Sequence, residues 1–330
     1  MKPFALFGLA VGLTVSAINN PAQAQALLVT DLFPQRTITL VCPFPAGGGT
    51  DILARMLAQE LQDKLKQTVI VDNRVGGGTV LAAQTVAKSN PDGHTILLAP
   101  VTTLAINPSV FKNIPYDPIK DFAPIGLIGA AEFALVANPS LGANTLPELI
   151  DVIRKRPGAL SYGSSGAGTP HHLFMAMFLK MIGGSAQHVP YRGSLPALTD
   201  VVSGQIEFMM VDLAVAMGLI QEGKVKAYGV PSATRVKAMP DIPTIAEAGV
   251  PGYAGSGWFS IVARAGTPRT AVDKVNGVLT AFLKQPDVQA RLYGLAIQPM
   301  TSTPEELEKH IAAEIVKWAQ VVKDAGIEPQ

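Results

Sequence analysis

Short apolar runs alternate with helical periods along the first half of the chain. Three apolar runs predict strands, at residues 37–41, 68–71 and 95–99. After the first strand, apolar residues recur at helical spacing and predict one amphipathic helix: Ile52, Leu53, Met56, Leu57, Leu61 and Leu65. A shorter helix is predicted over 80–87. Strand, helix and strand in this order predict a parallel sheet with right-handed crossovers.

The same alternation restarts in the second half. Apolar runs predict further strands at 133–137, 160–162, 205–211, 225–230 and 257–263. Helices are predicted over 146–154, after Pro170, over 271–283 and over 304–325. The helix after Pro170 has an apolar face made by Leu173, Phe174, Met177, Phe178 and Met181. The fold class is therefore α/β, with the pattern occurring twice.

The length of 330 residues favours two lobes, because single hydrophobic cores rarely grow that large. The stretches 123–137 and 253–263 are candidates to cross between the lobes. If both cross, lobe 1 is discontinuous and consists of 27–127 and 250–330, while lobe 2 consists of 128–249. A ligand cleft is then expected between two α/β lobes.

The first 26 residues have the pattern of an export signal. Lys2 precedes an apolar run from Phe4 to Ile18, and Ala22-Gln23-Ala24 forms a small-residue cleavage pattern. We expect residues 1–24 to be a cleaved signal peptide, with cleavage after residue 26 as an alternative. An uncleaved membrane anchor is the alternative. No later window offers 18 uncharged apolar residues, so the mature chain is expected to be exported and soluble.

Charge and side-chain chemistry exclude several classes of function. The net charge of +1 provides no positive field for nucleic acid or anionic lipid. The single cysteine, Cys42, excludes a disulfide scaffold. His171 and His172 are adjacent and diverge on a helix, so no metal site is expected. For His172, a packing or loop-bracing role is favoured.

Motifs for enzymes and cofactors are incomplete. Thr50 and Asp51 follow the first glycine cluster, where a phosphate-binding loop needs Lys and Ser or Thr. Around Ser165, Ala167 replaces the last glycine of a nucleophile elbow, and no dinucleotide fingerprint is complete. The composition would allow a hydrolytic triad, but nothing selects one. We expect a binding protein with no cofactor, and not an enzyme.

A strand, a glycine-rich loop and a helix start follow one another at two equivalent places. The loops span 43–51 and 163–169. Glycines let backbone N–H groups approach a ligand closely, and a helix start adds partial positive charge. Two such loops facing a cleft would hold a carboxylate without any arginine. The alternative is that both are merely tight turns.

Asp212 follows an apolar strand, at the place where open α/β sheets bring side chains to a ligand. It could hold an ammonium or hydroxyl group of the ligand, or cap the next helix. Thr169 is a plausible N-cap, and Pro170 suits the first helical position.

Seven segments together are similar to a known family. They are Val41–Asp51, Val71–Arg74, Pro91–Thr95, Tyr116–Phe122, Ser164–Leu173, Val189–Gly193 and Pro243–Gly249. Over essentially the whole mature length, the chain resembles the Bug (TctC-like) periplasmic receptors of tripartite tricarboxylate transporters. Two positions depart from the family pattern: Val211-Asp212 stands where an Asp-Asn pair is frequent, and Cys42 replaces Val or Ile. The first departure puts the identity of the ligand in doubt.

The resemblance implies a type II periplasmic binding fold, with two α/β lobes that close like a Venus flytrap. It implies a small carboxylate ligand, held by the two loops partly through ordered water. The ligand would be a di- or tricarboxylate, an acidic amino acid or an aromatic carboxylate. Partners would be membrane transporter subunits or, alternatively, a sensor kinase, and the receptor would be a monomer. The expected ligand-binding residues are Phe44, Ala46, Gly47, Gly48, Thr50, Asp51, Ser164, Ser165, Gly166, Thr169, Tyr191 and Asp212.

Overall fold

The structure is a computed structural model that describes residues 33–329. The signal peptide expected over 1–24 lies outside the described residues. The strands are β1 Ile38–Cys42, β2 Val69–Asn73, β3 Thr95–Pro100, β4 Phe122–Ala131, β5 Phe133–Ala137, β6 Ser161–Ser164, β7 Gln187–Pro190, β8 Phe208–Asp212, β9 Lys226–Gly229, β10 Gly257–Arg264 and β11 Ile297–Pro299. The α-helices are α1 Gly49–Leu65, α2 Val80–Ala87, α3 Asn107–Val110, α4 Leu146–Lys155, α5 Pro170–Met181, α6 Ser194–Ser203, α7 Leu213–Gln221, α8 Arg269–Leu283, α9 Pro286–Gly294 and α10 Pro304–Asp324.

The strands form two mixed sheets. One has the order β11-β4-β10-β3-β1-β2, and the other has the order β7-β6-β8-β5-β9. The predicted parallel pairing is confirmed for β1 with β2 and β3, and for β6 with β7 and β8. Strands β4, β10 and β11 extend the first sheet in antiparallel pairs, as β5 and β9 extend the second. Two mixed α/β sheets of this kind are consistent with the two-lobed type II fold.

β1 is buried on both of its faces. Ile38, Leu40 and Cys42 contribute to one hydrophobic core, which includes α1 and α8, while Val41 points into another. This alternation follows from the period of two in a strand, and burial of both faces explains the continuous apolar run. Packing on both faces therefore fixes the position of the end of β1, where the first of the two glycine-rich loops begins.

The chain passes from one sheet to the other at Glu132, between β4 and β5. The return leads into β10, where a Cβ on its first residue, Gly257, would lie 2.7 Å from the Phe133 ring. The helix α10 also contacts both parts, since Trp318 packs against Phe174 of α5 with ring centroids 5.4 Å apart. The lobe boundaries stated above stay a prediction.

Several elements were not predicted from the pattern. They are β4, β7, β11, α6, α7, α9 and a helical segment over 102–110 that begins with five residues in π-helical geometry. β7 is short and mostly polar, so it has no apolar run to reveal it. The strand predicted over 205–211 begins later, at Phe208, and includes Asp212. Within residues 33–329, no helix is both long and apolar enough to cross a membrane.

Candidate functional site

A cleft of about 280 Å³ lies where loops from the two sheets meet. Each sheet contributes the segments that follow its strands, and the crossing segments form the back wall. The lining residues are Phe44, Thr50, Gly78, Thr79, Pro100, Val101, Thr102, Ala131, Phe133, Ser165, Thr169, Pro170, His171, Asp212, Gly257 and Phe259. None of them is Lys or Arg, and no group of residues within 33–329 is arranged to hold a metal ion.

The buried side chain of Asp51 holds the first glycine-rich loop in place through hydrogen bonds. Its Oδ2 accepts hydrogen bonds from the Gly47 N–H and from Arg55 Nε, both at 2.9 Å, and its Oδ1 accepts one from Asn73 Nδ2 at 2.9 Å. The hydrogen bond from Arg55 lowers the pKa of Asp51 to about 2, although burial raises it. The side chain is only 3% exposed. Asp51 therefore stabilises the loop from within and does not line the cleft.

The second glycine-rich loop rests on two stacked histidines. The rings of His172 and His188 lie 3.8 Å apart and nearly parallel. His172 Nδ1 accepts a hydrogen bond from the Gly168 N–H at 3.1 Å, which confirms the predicted loop-bracing role. Ser164 Oγ shares a hydrogen bond of 2.6 Å with His188 Nε2. Burial and the neighbouring His188 lower the pKa of His172 to about 4, so the pair is neutral at pH 7.

The two helices that follow the glycine-rich loops begin without a side-chain cap. Gly48 precedes α1 and has no side chain to offer, while Thr169 precedes α5 and donates its hydroxyl to Gly166 O at 2.7 Å. Thr169 thus occupies the predicted N-cap position without the capping bond. In α10, by contrast, Thr303 and Glu306 form a complete capping box. Free N–H groups at a helix start attract anions.

Ser165, His171 and Asp212 form a hydrogen-bonded chain along the cleft wall. Ser165 Oγ lies 2.8 Å from His171 Nδ1, and His171 Nε2 lies 3.0 Å from Asp212 Oδ2. Burial raises the pKa of Asp212, but the charge of His171 and its hydrogen bond outweigh burial and leave the pKa below its ordinary value. Asp212 makes no capping bond to α7, so the helix-cap alternative is wrong.

A third loop contributes to the cleft and was missed as a site from the sequence. Gly76, Gly77, Gly78 and Thr79 all have positive φ, and Thr79 is the unusual member at +79°. Its hydroxyl accepts a hydrogen bond of 2.7 Å from Thr103 Oγ1. Asn107 Nδ2 donates to Gly78 O at 2.9 Å. A non-glycine residue in this conformation is strained, and such strain often marks functional loops. The glycine cluster after β2 was the available signal.

The structure brings five of the expected ligand-binding residues to the cleft: Phe44, Thr50, Ser165, Thr169 and Asp212. Ala46, Gly47 and Gly48 are exposed on the loop and do not line the cavity. Gly166 and Tyr191 are half-buried outside its lining, and the Tyr191 hydroxyl donates to Asp200 Oδ2 at 2.6 Å. Ser164 and Asp51 are buried behind the loops.

Comparisons with known proteins agree on one family. Residues 53–327 match the model of the tripartite tricarboxylate transporter family receptor. The chain is 34% identical to protein BugT of Bordetella pertussis over 90% of this chain and 91% of that protein. Its fold is similar to that of an R. palustris protein solved with adipate. The two are 36% identical with a TM-score of 0.80, and the match covers 91% of this chain and 100% of that chain. It is also similar to MatC from Rhodopseudomonas palustris with bound malate. The two are 33% identical with a TM-score of 0.74, and the match covers 88% of this chain and 100% of that chain.

Proposed function

The chain belongs to the tripartite tricarboxylate transporter receptor family, and from that premise we propose that it captures a small carboxylate in the periplasm and delivers it to a transporter. Family members are periplasmic solute-binding receptors and not enzymes, and they work with transporter components. The relatives solved with adipate and with malate support a carboxylate as the ligand here. The expected signal peptide is consistent with the periplasm.

One observation carries the proposal: two helix starts without side-chain caps meet at one cleft that has no lysine or arginine in its lining. The N–H groups of such helix starts supply partial positive charge, which a carboxylate neutralises. Backbone N–H groups are fixed by the strand and helix on either side of each loop. They therefore bind an anion without the entropy cost of ordering a long cationic side chain.

The proposed contacts divide into a gripping set and a supporting set. Thr50, Ser165 and Thr169 lie against the carboxylates, and the N–H groups at the starts of α1 and α5 donate to them, while Phe44 covers the ligand body. Asp51, Ser164 and Tyr191 act from behind by holding the loops in shape. Gly78 and Thr79 join the gripping set from the third loop.

Closure of the two lobes on the ligand would then create the surface that a membrane partner recognises. We propose a monomer whose lobes are 27–127 with 250–330, and 128–249. Co-purification of the ligand-bound protein with transporter membrane subunits would support delivery. Retention by a sensor kinase in place of those subunits would contradict it.

Calorimetry on unfolded and refolded, ligand-free protein starting at residue 27 tests the carboxylate itself. A panel of di- and tricarboxylates, acidic amino acids and aromatic carboxylates is titrated, each beside its neutral amide. We expect at least one carboxylate to bind with 1:1 stoichiometry and its amide to bind at least 100-fold more weakly, because only the anion neutralises the helix starts. Equal binding of acid and amide, or binding of none of the acids, would overturn the proposal.

A further inference from the structure

The lining of the cleft is mainly apolar, and most of its hydroxyl groups already take part in a hydrogen bond. Three phenylalanines line it, Phe44, Phe133 and Phe259, together with Pro100, Val101 and Ala131. The ionisable side chains of the lining are His171 and Asp212, which bond to each other at 3.0 Å. The ligand body between the charged ends therefore faces mainly carbon.

The aromatic walls are held in place from behind. The Phe133 ring packs edge-on against Phe174 and His171, with centroids 5.0 and 5.2 Å apart. Phe44 and Phe259 meet edge-on at 6.5 Å. Phe133 and Phe259 are only 4% and 5% exposed, so neither can readily turn aside for a polar group. Rigid apolar walls select for an apolar surface of matching shape.

Most hydroxyl groups of the lining are already engaged. Thr79 accepts from Thr103, Thr169 donates to Gly166, and Ser165 bonds to His171. Thr50 and Thr102 make no side-chain hydrogen bond within residues 33–329, and Thr50 lies in the first turn of α1, among the groups assigned to a carboxylate. Thr102 is therefore the one lining hydroxyl outside the carboxylate contacts that makes no side-chain hydrogen bond within residues 33–329.

We propose that the cleft selects a dicarboxylate whose body is an unhydroxylated chain or ring, and discriminates against hydroxy acids. This inference rests on the proposed function, and it narrows the ligand class. A hydroxyl on the ligand body would exchange water for a lining that consists mainly of carbon. An apolar site rejects an added hydroxyl by a factor of about 100.

Calorimetry with two matched pairs tests the inference, using the refolded ligand-free protein. Succinate is compared with malate, and adipate with 3-hydroxyadipate, because each pair differs by one hydroxyl. The pair that binds with the higher affinity indicates the length of the ligand. Within it, we expect the unhydroxylated member to bind about 10- to 100-fold more tightly. Equal affinity, or preference for the hydroxy acid, would overturn the inference and leave the proposed function standing. If every carboxylate fails to bind, the proposed function itself falls.

Two variants locate the selectivity. Thr102→Val removes the free hydroxyl at constant shape, and we expect it to leave the affinity for the unhydroxylated acid within about twofold. Phe44→Ser makes one wall polar at a half-buried position at the margin of one core, and we expect it to reduce the difference in affinity within the pair about tenfold. Two results would argue against the apolar walls as the source of selection. One is a loss of affinity for the unhydroxylated acid of tenfold or more in Thr102→Val, and the other is an unchanged difference in affinity within the pair in Phe44→Ser.

Discussion

His171 and Asp212 pair across the cleft wall, with Nε2 and Oδ2 3.0 Å apart, although 41 residues separate them in the chain. Their chain of hydrogen bonds continues to Ser165 and joins the start of α5 to the end of β8. The pairing fixes the orientation of the one cleft-lining hydroxyl that is bonded to an imidazole. It also gives Asp212 a defined role at a position where the sequence departs from its family.

A double-mutant cycle of His171→Gln and Asp212→Asn should show a coupling free energy of about 1 kcal/mol in urea unfolding at pH 7. The pKa of Asp212 is lowered in the folded state, so its contribution is present above the ordinary value and is lost as the pH falls through the folded value. The coupling should therefore weaken as the pH falls through the lowered pKa of Asp212. A coupling that stays unchanged on acidification would show that the charge of Asp212 is not its source.

Gly47→Ala should weaken carboxylate binding about tenfold. Gly47 has φ of +87°, which an alanine adopts at a cost of about 1 kcal/mol, although a Cβ there would meet nothing within 4 Å. Gly48→Ala is the matched control, since Gly48 has φ of −79° and a Cβ would lie 3.8 Å from Pro45 O. Calorimetry should place the control within twofold of wild type. An equal loss of affinity in both variants would show that the positive φ of Gly47 is not the cause of the weaker binding.

Thr79→Ala should destabilise the protein by about 2 kcal/mol, because it loses the hydroxyl that accepts from the buried Thr103 and keeps the strained φ of +79°. Thr79→Gly loses the same hydroxyl but relieves the strain, so it should be about 1 kcal/mol more stable than the alanine variant. Urea unfolding of both variants measures the difference. An alanine variant as stable as the glycine variant would exclude backbone strain at this loop.

His172 should make the protein less stable in acid. Its pKa is lowered to about 4 in the folded state, so the unfolded chain binds the proton more readily between pH 6.5 and 4. Stability should fall by up to about 3 kcal/mol as the pH decreases through that window. His172→Gln keeps an acceptor for the Gly168 N–H and removes the titration. Its stability should therefore change less with pH than that of wild type, and an unchanged slope would exclude His172 as the cause.

Most strands of the two sheets and the helices after the two glycine-rich loops could be predicted, because their apolar patterns are regular. The two glycine-rich loops were also predictable, since Gly47 and Gly166 both stand between a predicted strand and a predicted helix. What failed were elements without a period of their own, such as β7 and β11. Their conformation is set by pairing with β6 and β4, which local pattern does not encode.

The roles of individual site residues were harder to predict, because they depend on contacts between distant segments. Asp51 follows a glycine cluster and has the sequence context of a ligand group, yet its oxygens are occupied by Gly47, Arg55 and Asn73. The bond between His171 and Asp212 requires β8 and α5 to be neighbours. Thr79 was overlooked because a left-handed conformation of threonine has no signature in sequence.

The antiparallel strand β10 has a consequence for biosynthesis. It separates β3 from β4 in the middle of the first sheet, yet it follows all five strands of the second sheet in the chain. Until residue 264 has been made, β3 lacks a neighbour along one edge and β4 lacks a neighbour along both, because β11 is made later still. Unpaired edges of this kind recruit other chains. Premature termination after the second sheet should therefore yield aggregates and not a shortened receptor.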